Sequence, residues 1–248
     1  MSKPLKVLNS QTENEILQKQ RMVNNLKNSA IPESEILDNL GLFLTRQNLS
    51  RINFMQTIYS HIVNTHGNIF EFGVRWGQNL SLFSNLRGIL EPYNHNRKIV
   101  GFDTFSGFPS VNAKDGEKYA AGDYGVTTGW EHHLEDILNF HNQNSPIGHK
   151  KKFELVKGDA TVTLKKHLDE NPETMIALAY FDFDLYEPTK KCLELILPYM
   201  TKGSVIAFDE LNCKDFPGET IALREVLSLK DYKLHRDPNS PLTSYLIL

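Results

Sequence analysis

Cysteine is scarce in this chain of 248 residues: Cys192 and Cys213 are the only two, too few for a disulfide framework. No uncharged apolar run approaches the ~18 residues of a membrane-crossing helix. Met1-Ser-Lys-Pro-Leu-Lys is not followed by the apolar stretch of a signal peptide. A soluble, cytoplasmic protein without membrane insertion is therefore expected. A long basic stripe is also missing. Lys and Arg number 27 against 30 Asp and Glu, a formal net charge of −3, so nucleic acid is not an expected partner. The one basic run, His149-Lys150-Lys151-Lys152, reads as a solvated turn before a strand. The G-x-G-x-x-G of a dinucleotide fold is absent, and so is any clear histidine or cysteine pair for zinc.

What is present is an alternation of strand-like and helix-like segments. Forty per cent hydrophobic content is enough for a sizeable core. The length fits one large α/β domain, residues 67–248, behind an N-terminal helical extension, residues 1–66. In the extension, Ile16, Met22, Val23 and Leu26 form a weak stripe, and Pro32 interrupts. Apolar residues then recur at helical spacing from Glu33 to His66, with Gly67 where a helix C′ residue would sit. Core packing is the first role expected of these faces; a lid or a homo-oligomer interface is the other. After Gly67 the strands read Asn68–Val74, Lys98–Asp103, Phe153–Gly158, Met175–Phe181 and Ser204–Phe208. Helices read Gln78–Leu90, Ala160–Asp169, a segment opened by Pro188, and Gly218–Leu229. Tyr232–Arg236 and Ser244–Leu248 read as a closing antiparallel pair. The pattern predicts a doubly wound sheet. An insert, residues 104–150, is too long for a mere linker and holds a short helix near Glu131–Asn142.

Two acidic clusters end two of the apolar runs: Tyr180-Phe-Asp182-Phe-Asp184-Leu-Tyr186 and Phe208-Asp209-Glu210-Leu-Asn212. Ligands of open α/β sheets bind outside the carboxyl ends of the strands. Neighbouring strands lie about 4.8 Å apart, so four carboxylates would converge there and demand a cation or a shared proton. All-oxygen donors point to Mg²⁺, Mn²⁺ or Ca²⁺. Helix capping before Pro188, or solvation in a loop, is the plainer reading of the same acids.

The turn after the first strand reads Glu71-Phe-Gly73-Val74-Arg-Trp-Gly77. Glu71 would repel a pyrophosphate and suits a cationic amino group. Asp103, ending the second strand, is placed to accept from ribose hydroxyls. Gly158-Asp159-Ala160 closes the third strand, where an adenine edge could be read. Ribose, adenine and ammonium together describe S-adenosylmethionine.

These stretches, with Gly101-Phe-Asp-Thr-Phe-Ser-Gly-Phe-Pro109 and Asp182-Phe-Asp184-Leu-Tyr-Glu-Pro-Thr189, resemble the TylF/MycF-type (macrocin) S-adenosylmethionine-dependent O-methyltransferase family. The resemblance spans residues 68–212. It implies a class I methyltransferase (Rossmann-like) fold with a seven-stranded, mostly parallel, doubly wound sheet. It implies Mg²⁺-dependent methyl transfer to a sugar hydroxyl, with a small-molecule sugar as partner: a nucleotide sugar, a polysaccharide precursor or a glycosylated natural product. Carried onto this chain, Asp182, Asp209 and Glu210 are the expected metal ligands and Asp184 the expected base. Glu71, Gly73, Val74, Gly77, Asp103, Ser106, Asp159 and Ala160 are the expected cofactor residues. The family commonly has Asp-Gly-Asp and a second Asp-Asp, where this chain has Phe183 and Glu210.

Asp182 and Asp184, two apart, share a face if the strand persists there. Asp209 and Glu210 can serve one ion only if the chain bends. His132 and His133 read as a solvated helical pair or as acceptor-site groups, and Tyr124 and Trp130 as loop packing or as a sugar platform. Three other functions stay open: methylation of a phenolic or catechol hydroxyl, a nucleotide-cofactor oxidoreductase, and cofactor binding without turnover.

Overall fold

The computed structural model describes residues 11–248; the start of the expected N-terminal extension, residues 1–10, lies outside the described residues. The described chain falls into two compact units, one ending at Asn53 and one running from Phe54 to Leu248.

In the first unit, α1 (Glu13–Lys27) starts in a capping box. Thr12 Oγ1 accepts from the Glu15 N–H at 3.3 Å, and Glu15 Oε2 accepts from the Thr12 N–H at 2.8 Å. The helical spacing read from Glu33 to His66 gives a helix only in its second half, and not directly after Pro32. The segment after Pro32 forms two 3-10 turns, Glu33–Glu35 and Leu40–Leu42. Gly41 weakens a helix there, and the Asn39 side chain donates to the Glu35 carbonyl at 2.9 Å, closing a local turn instead. Thr45 and Asn48 then bond each other's backbone N–H groups at the start of α2 (Arg46–Ile62).

The second unit is built on a seven-stranded sheet of β1 (Asn68–Phe72), β2 (Ile99–Asp103), β3 (Phe153–Lys157), β4 (Ile176–Phe181), β5 (Met200–Phe208), β6 (His235–Arg236) and β7 (Ser244–Ile247). The order is β3-β2-β1-β4-β5-β7-β6. The first five strands are parallel, and β7 runs antiparallel to both β5 and β6. The expected fold class is thus the observed one. The helices are α3 (Gln78–Leu90), α4 (Trp130–Asn144), α5 (Ala160–Glu170), α6 (Tyr186–Ile196) and α7 (Pro217–Val226). Among the described residues no helix is long and apolar enough to cross a membrane.

Strand alternation splits the core between the two faces. On one, Ile69, Ile99 and Phe153 pack with Phe54–Ile62 of α2, Leu80 and Phe83 of α3, and Leu134 and Leu138 of α4. On the other, Phe70, Phe72, Val100 and Phe102 pack with Leu164 and Leu168 of α5, Leu193 and Ile196 of α6, and Leu223 of α7. Each such side chain, fully buried, contributes roughly 1.5–3 kcal/mol.

At or next to the ends of four strands lies a row of phenylalanines. Phe102, Phe72, Phe181 and Phe208 are in register across β2, β1, β4 and β5. Adjacent rings stack with centroids 5.2, 4.8 and 5.3 Å apart. The residues that follow them, Asp103, Gly73, Asp182 and Asp209, therefore form the next row. Backbone bonds carry the ladder into it: Gly73 N–H to the Phe102 carbonyl (3.0 Å), Asp182 N–H to Phe72 (2.8 Å) and Asp209 N–H to Phe181 (2.9 Å).

Gly67 proves to be a close-approach residue rather than a helix C′ residue, because α2 ends at Ile62. Its φ is +135°, and a Cβ there would lie 2.7 Å from the Ala177 amide nitrogen. Gly73 is tighter: φ is +90°, and a Cβ would sit 2.0 Å from the Asp182 carbonyl oxygen. Both objections are to backbone atoms, which cannot move aside. Gly73→Ala should destabilise the protein by about 3 kcal/mol or more. Urea denaturation checks this, and a loss under about 1 kcal/mol would show that the β1 and β4 ends are not locked together.

Candidate active site

Strand order reverses between β1 and β4, and the crevice above that point is where such sheets bind ligands. On one side lies the glycine turn. Gly77, in the left-handed region at φ +81°, caps α3, and a Cβ there would collide with Leu134. Val74, in the same turn, is buried. Glu71 is fully buried in β1 and registers with Gly101 and Tyr180.

Asp103 braces this turn. Its Oδ2 accepts the Arg75 N–H at 2.7 Å and its Oδ1 the Phe105 N–H at 2.5 Å. Arg75 and Phe105 both have positive φ, so the carboxylate holds two bends at once. Burial pushes its pKa up, against the N–H groups of Arg75, Phe105 and Val74. The bracing leaves lone pairs on the carboxylate for a further donor. Asp159 caps α5, its Oδ1 accepting from the N–H (2.9 Å) and hydroxyl (2.8 Å) of Thr161, and Ala160 is buried beside it. Ser106 is exposed in the turn after β2, its N–H donating to Thr104 Oγ1 at 3.1 Å.

The acids lie on the other side. Asp182 and Asp184 do not share a strand face, because β4 stops at Phe181 and Asp184 adopts φ +62°. Neither caps α6, whose N-cap is Leu185 with no side-chain bond. The chain does bend after β5, Asn212 having φ +58°. The Tyr180 hydroxyl donates to Asp209 Oδ1 at 2.6 Å, and burial, with the Glu210 carboxylate adding to it, pushes the Cys213 thiol pKa up. Asp184 is buried, and burial raises its pKa well above the ordinary range. Its neighbours Asp182, Glu219, Glu210 and Asp209 push the same way.

Glu219 is a fifth acid, which sequence reading passes over because a glutamate in a helix's first turn is ordinary. Here it is fully buried, and burial, with Asp182 and Asp209, drives its pKa well up. Asp115, in the polar insert, is likewise buried and accepts the Tyr186 N–H at 2.6 Å. Neither had a sequence signal. The donor set is all oxygen, which fits a hard divalent cation chemically. As they stand, no group of three or more His, Cys, Asp or Glu among the described residues could hold a metal ion.

The insert also supplies an aromatic cluster. Tyr119 stacks on Phe216 at 4.6 Å, Phe108 stacks on Tyr124 at 5.2 Å, and the Arg75 guanidinium lies 5.2 Å over the Tyr124 ring. Burial raises the pKa of the Tyr119 hydroxyl, and Tyr124 and the acids Asp184, Asp215 and Glu210 push it the same way. Trp76 and Trp130 meet edge to face at 5.0 Å, and His132 and His133 are exposed on α4, as a solvated pair would be.

Residues 70–211, more than half of the chain, match the family model of a methyltransferase domain. The chain belongs to the methyltransferase domain family. The methyltransferase superposes on the crystal structure of CalS11, described as a calicheamicin methyltransferase, with a TM-score of 0.93. The two are 44% identical over 100% of this chain and 97% of that one. The apo structure of CalS11, described as a TDP-rhamnose 3′-O-methyltransferase of calicheamicin biosynthesis, gives 0.86 and 42% over 97% and 96%. The O-methyltransferase NovP, 19% identical with a TM-score of 0.58, shares the fold. No curated protein sequence matches. The methyltransferase is an S-adenosylmethionine-dependent O-methyltransferase, which sets aside the oxidoreductase alternative.

Asp184 makes the stability of the methyltransferase depend on pH. Its folded pKa lies above its unfolded one, so the ionised group costs stability at high pH. That cost disappears as pH falls through the folded value and then the unfolded one. Without added divalent cation, Asp184→Asn should raise Tm at pH 8 relative to wild type. The gain should shrink toward pH 5. A lower Tm for the variant at pH 8 would show that the buried charge carries no such cost.

Proposed function

We propose that the enzyme transfers the methyl group of S-adenosylmethionine to a hydroxyl of a nucleotide-linked sugar, as a member of the TylF/MycF-type group, with Mg²⁺ as metal cofactor. The observation that carries this reading is the full-length likeness to CalS11, whose described substrate is TDP-rhamnose, joined to a buried aspartate among acids at the strand ends.

In this reading Glu71 faces the cofactor's ammonium group, and Asp103 receives the ribose hydroxyls. Gly73, Val74 and Gly77 let the backbone approach, while Ser106, Asp159 and Ala160 line the adenine end. Asp182, Asp209 and Glu210 would hold Mg²⁺. When bound, the ion would supply positive charge that makes an acceptor hydroxyl more acidic and offsets the repulsion among the acids. Asp184 takes the hydroxyl proton as the oxygen attacks the methyl carbon. The carbon–sulfur bond breaks, its electron pair stays on sulfur, and a neutral thioether leaves. The protein's main work is alignment of oxygen, carbon and sulfur, since the sulfonium is already a strong electrophile. The apolar side chains exposed on α1, among them Leu17, Met22 and Val23, support a homo-oligomer.

The aromatic cluster of Phe108, Tyr119, Tyr124 and Phe216 favours a second reading, a phenolic or catechol acceptor. Titration of S-adenosylhomocysteine and NAD⁺, each with Mg²⁺ and with EDTA, should show binding of the first alone. TDP-rhamnose should then be methylated and catechol not; the reverse would establish the second reading. EDTA should abolish turnover and excess Mg²⁺ restore it. Asp184→Asn should lower kcat by about 10²-fold or more while S-adenosylhomocysteine affinity stays within roughly twofold. Unchanged turnover would remove Asp184 from the base role.

A further inference from the structure

Glu219 sits one residue past Gly218 in the first turn of α7, yet its carboxylate does not serve its own helix. Its Oε1 accepts the backbone N–H groups of Phe183, at 3.0 Å, and Asp184, at 3.3 Å. These are consecutive peptides of the loop that follows β4, and the second belongs to the residue at φ +62°. An aspartate in the left-handed region persists only where its surroundings impose it. Two bonds to one oxygen, from inside a fully buried site, are such an imposition.

The start of α7 is shaped to deliver that oxygen. Pro217 opens the helix with a preset φ. Gly218 lies directly against the loop: a Cβ there would stand 2.5 Å from the Tyr186 amide nitrogen and 2.6 Å from Asp115 Oδ1. From the insert, Asp115 holds the far end of the same loop through the Tyr186 N–H at 2.6 Å. The loop that carries Asp184 is thus gripped at both ends by buried carboxylates from other parts of the chain.

We propose that Glu219 is the positioning residue for Asp184, holding the bend after β4 through the Phe183 and Asp184 N–H groups so that the Asp184 carboxyl faces the acceptor. The proposal rests on the reading of Asp184 as base. What it requires of residue 219 is an acceptor oxygen at that place, which glutamine also supplies and methionine does not.

The full-length enzyme and its Glu219→Gln, Glu219→Met and Gly218→Ala variants would be compared with S-adenosylmethionine and TDP-rhamnose, alongside S-adenosylhomocysteine affinity and amide hydrogen exchange at residues 183 and 184. Glu219→Gln should keep kcat within about threefold of wild type and keep the amides protected. Glu219→Met should lower kcat by about 10²-fold with KM and S-adenosylhomocysteine affinity near wild type, and both amides should exchange faster. Gly218→Ala, which displaces the start of α7, should do the same and decides the matter if the methionine variant does not fold. Full kcat and protection in either of these two variants overturns the proposal. So does a glutamine variant as impaired as the methionine one. If the wild type fails to methylate TDP-rhamnose, the functional reading fails instead, and exchange at the two amides alone decides whether Glu219 holds the loop.

Discussion

The site depends on one row of stacked rings. Phe102, Phe72, Phe181 and Phe208 come from four parallel strands, and their register sets where each chain leaves the sheet. A slip of one residue would turn the rings to the opposite face and scatter the residues that follow. Because the rings interlock at 4.8 to 5.3 Å within the buried core, such a slip is costly. Asp103, Gly73, Asp182 and Asp209 consequently stand side by side along one edge, with backbone hydrogen bonds continuing past the last strand residue.

That edge is chemically graded. Toward β2 and β1 it offers a glycine turn braced by Asp103, where a cofactor backbone can come close. Toward β4 and β5 it offers five acids, of which Asp184 and Glu219 are too deeply buried to ionise freely. The boundary falls at Gly73 and Asp182, which touch through backbone atoms. In the proposed reaction an electrophilic cofactor and a proton acceptor would thus stand beside each other without either crossing the other's territory. The insert reaches this arrangement through Asp115, which accepts the Tyr186 N–H, and through Tyr119, which stacks on Phe216.

The elements that bury both faces were the legible ones. β4 and the end of β5 read as continuous apolar runs because strands buried in a parallel sheet are covered on each side. α3 was placed residue for residue, since its glycine start and apolar spacing agree. The acids at the strand ends were legible because nothing else in a strand-end row carries charge so densely. Residues whose meaning is purely tertiary were not. Glu219 and Asp115 look like any helix-turn or loop acid until their partners, 36 and 71 residues away, are seen. Residues 33–44 misled in the other direction: their spacing is helical, but Gly41 and the Asn39 turn favour short 3-10 turns. The left-handed bend at Asp184 was invisible, because the residue is not a glycine.

The most direct test of the account is diffraction from crystals grown with S-adenosylhomocysteine and Mn²⁺, read through the anomalous signal of the metal. The account predicts the homocysteine product lying over the Gly73–Gly77 turn with its ribose on Asp103, and one Mn²⁺ peak between Asp182, Asp209 and Glu210. A metal peak elsewhere, or a cofactor away from that turn, would contradict the claim that the row beyond the phenylalanines is a single methyl-transfer site.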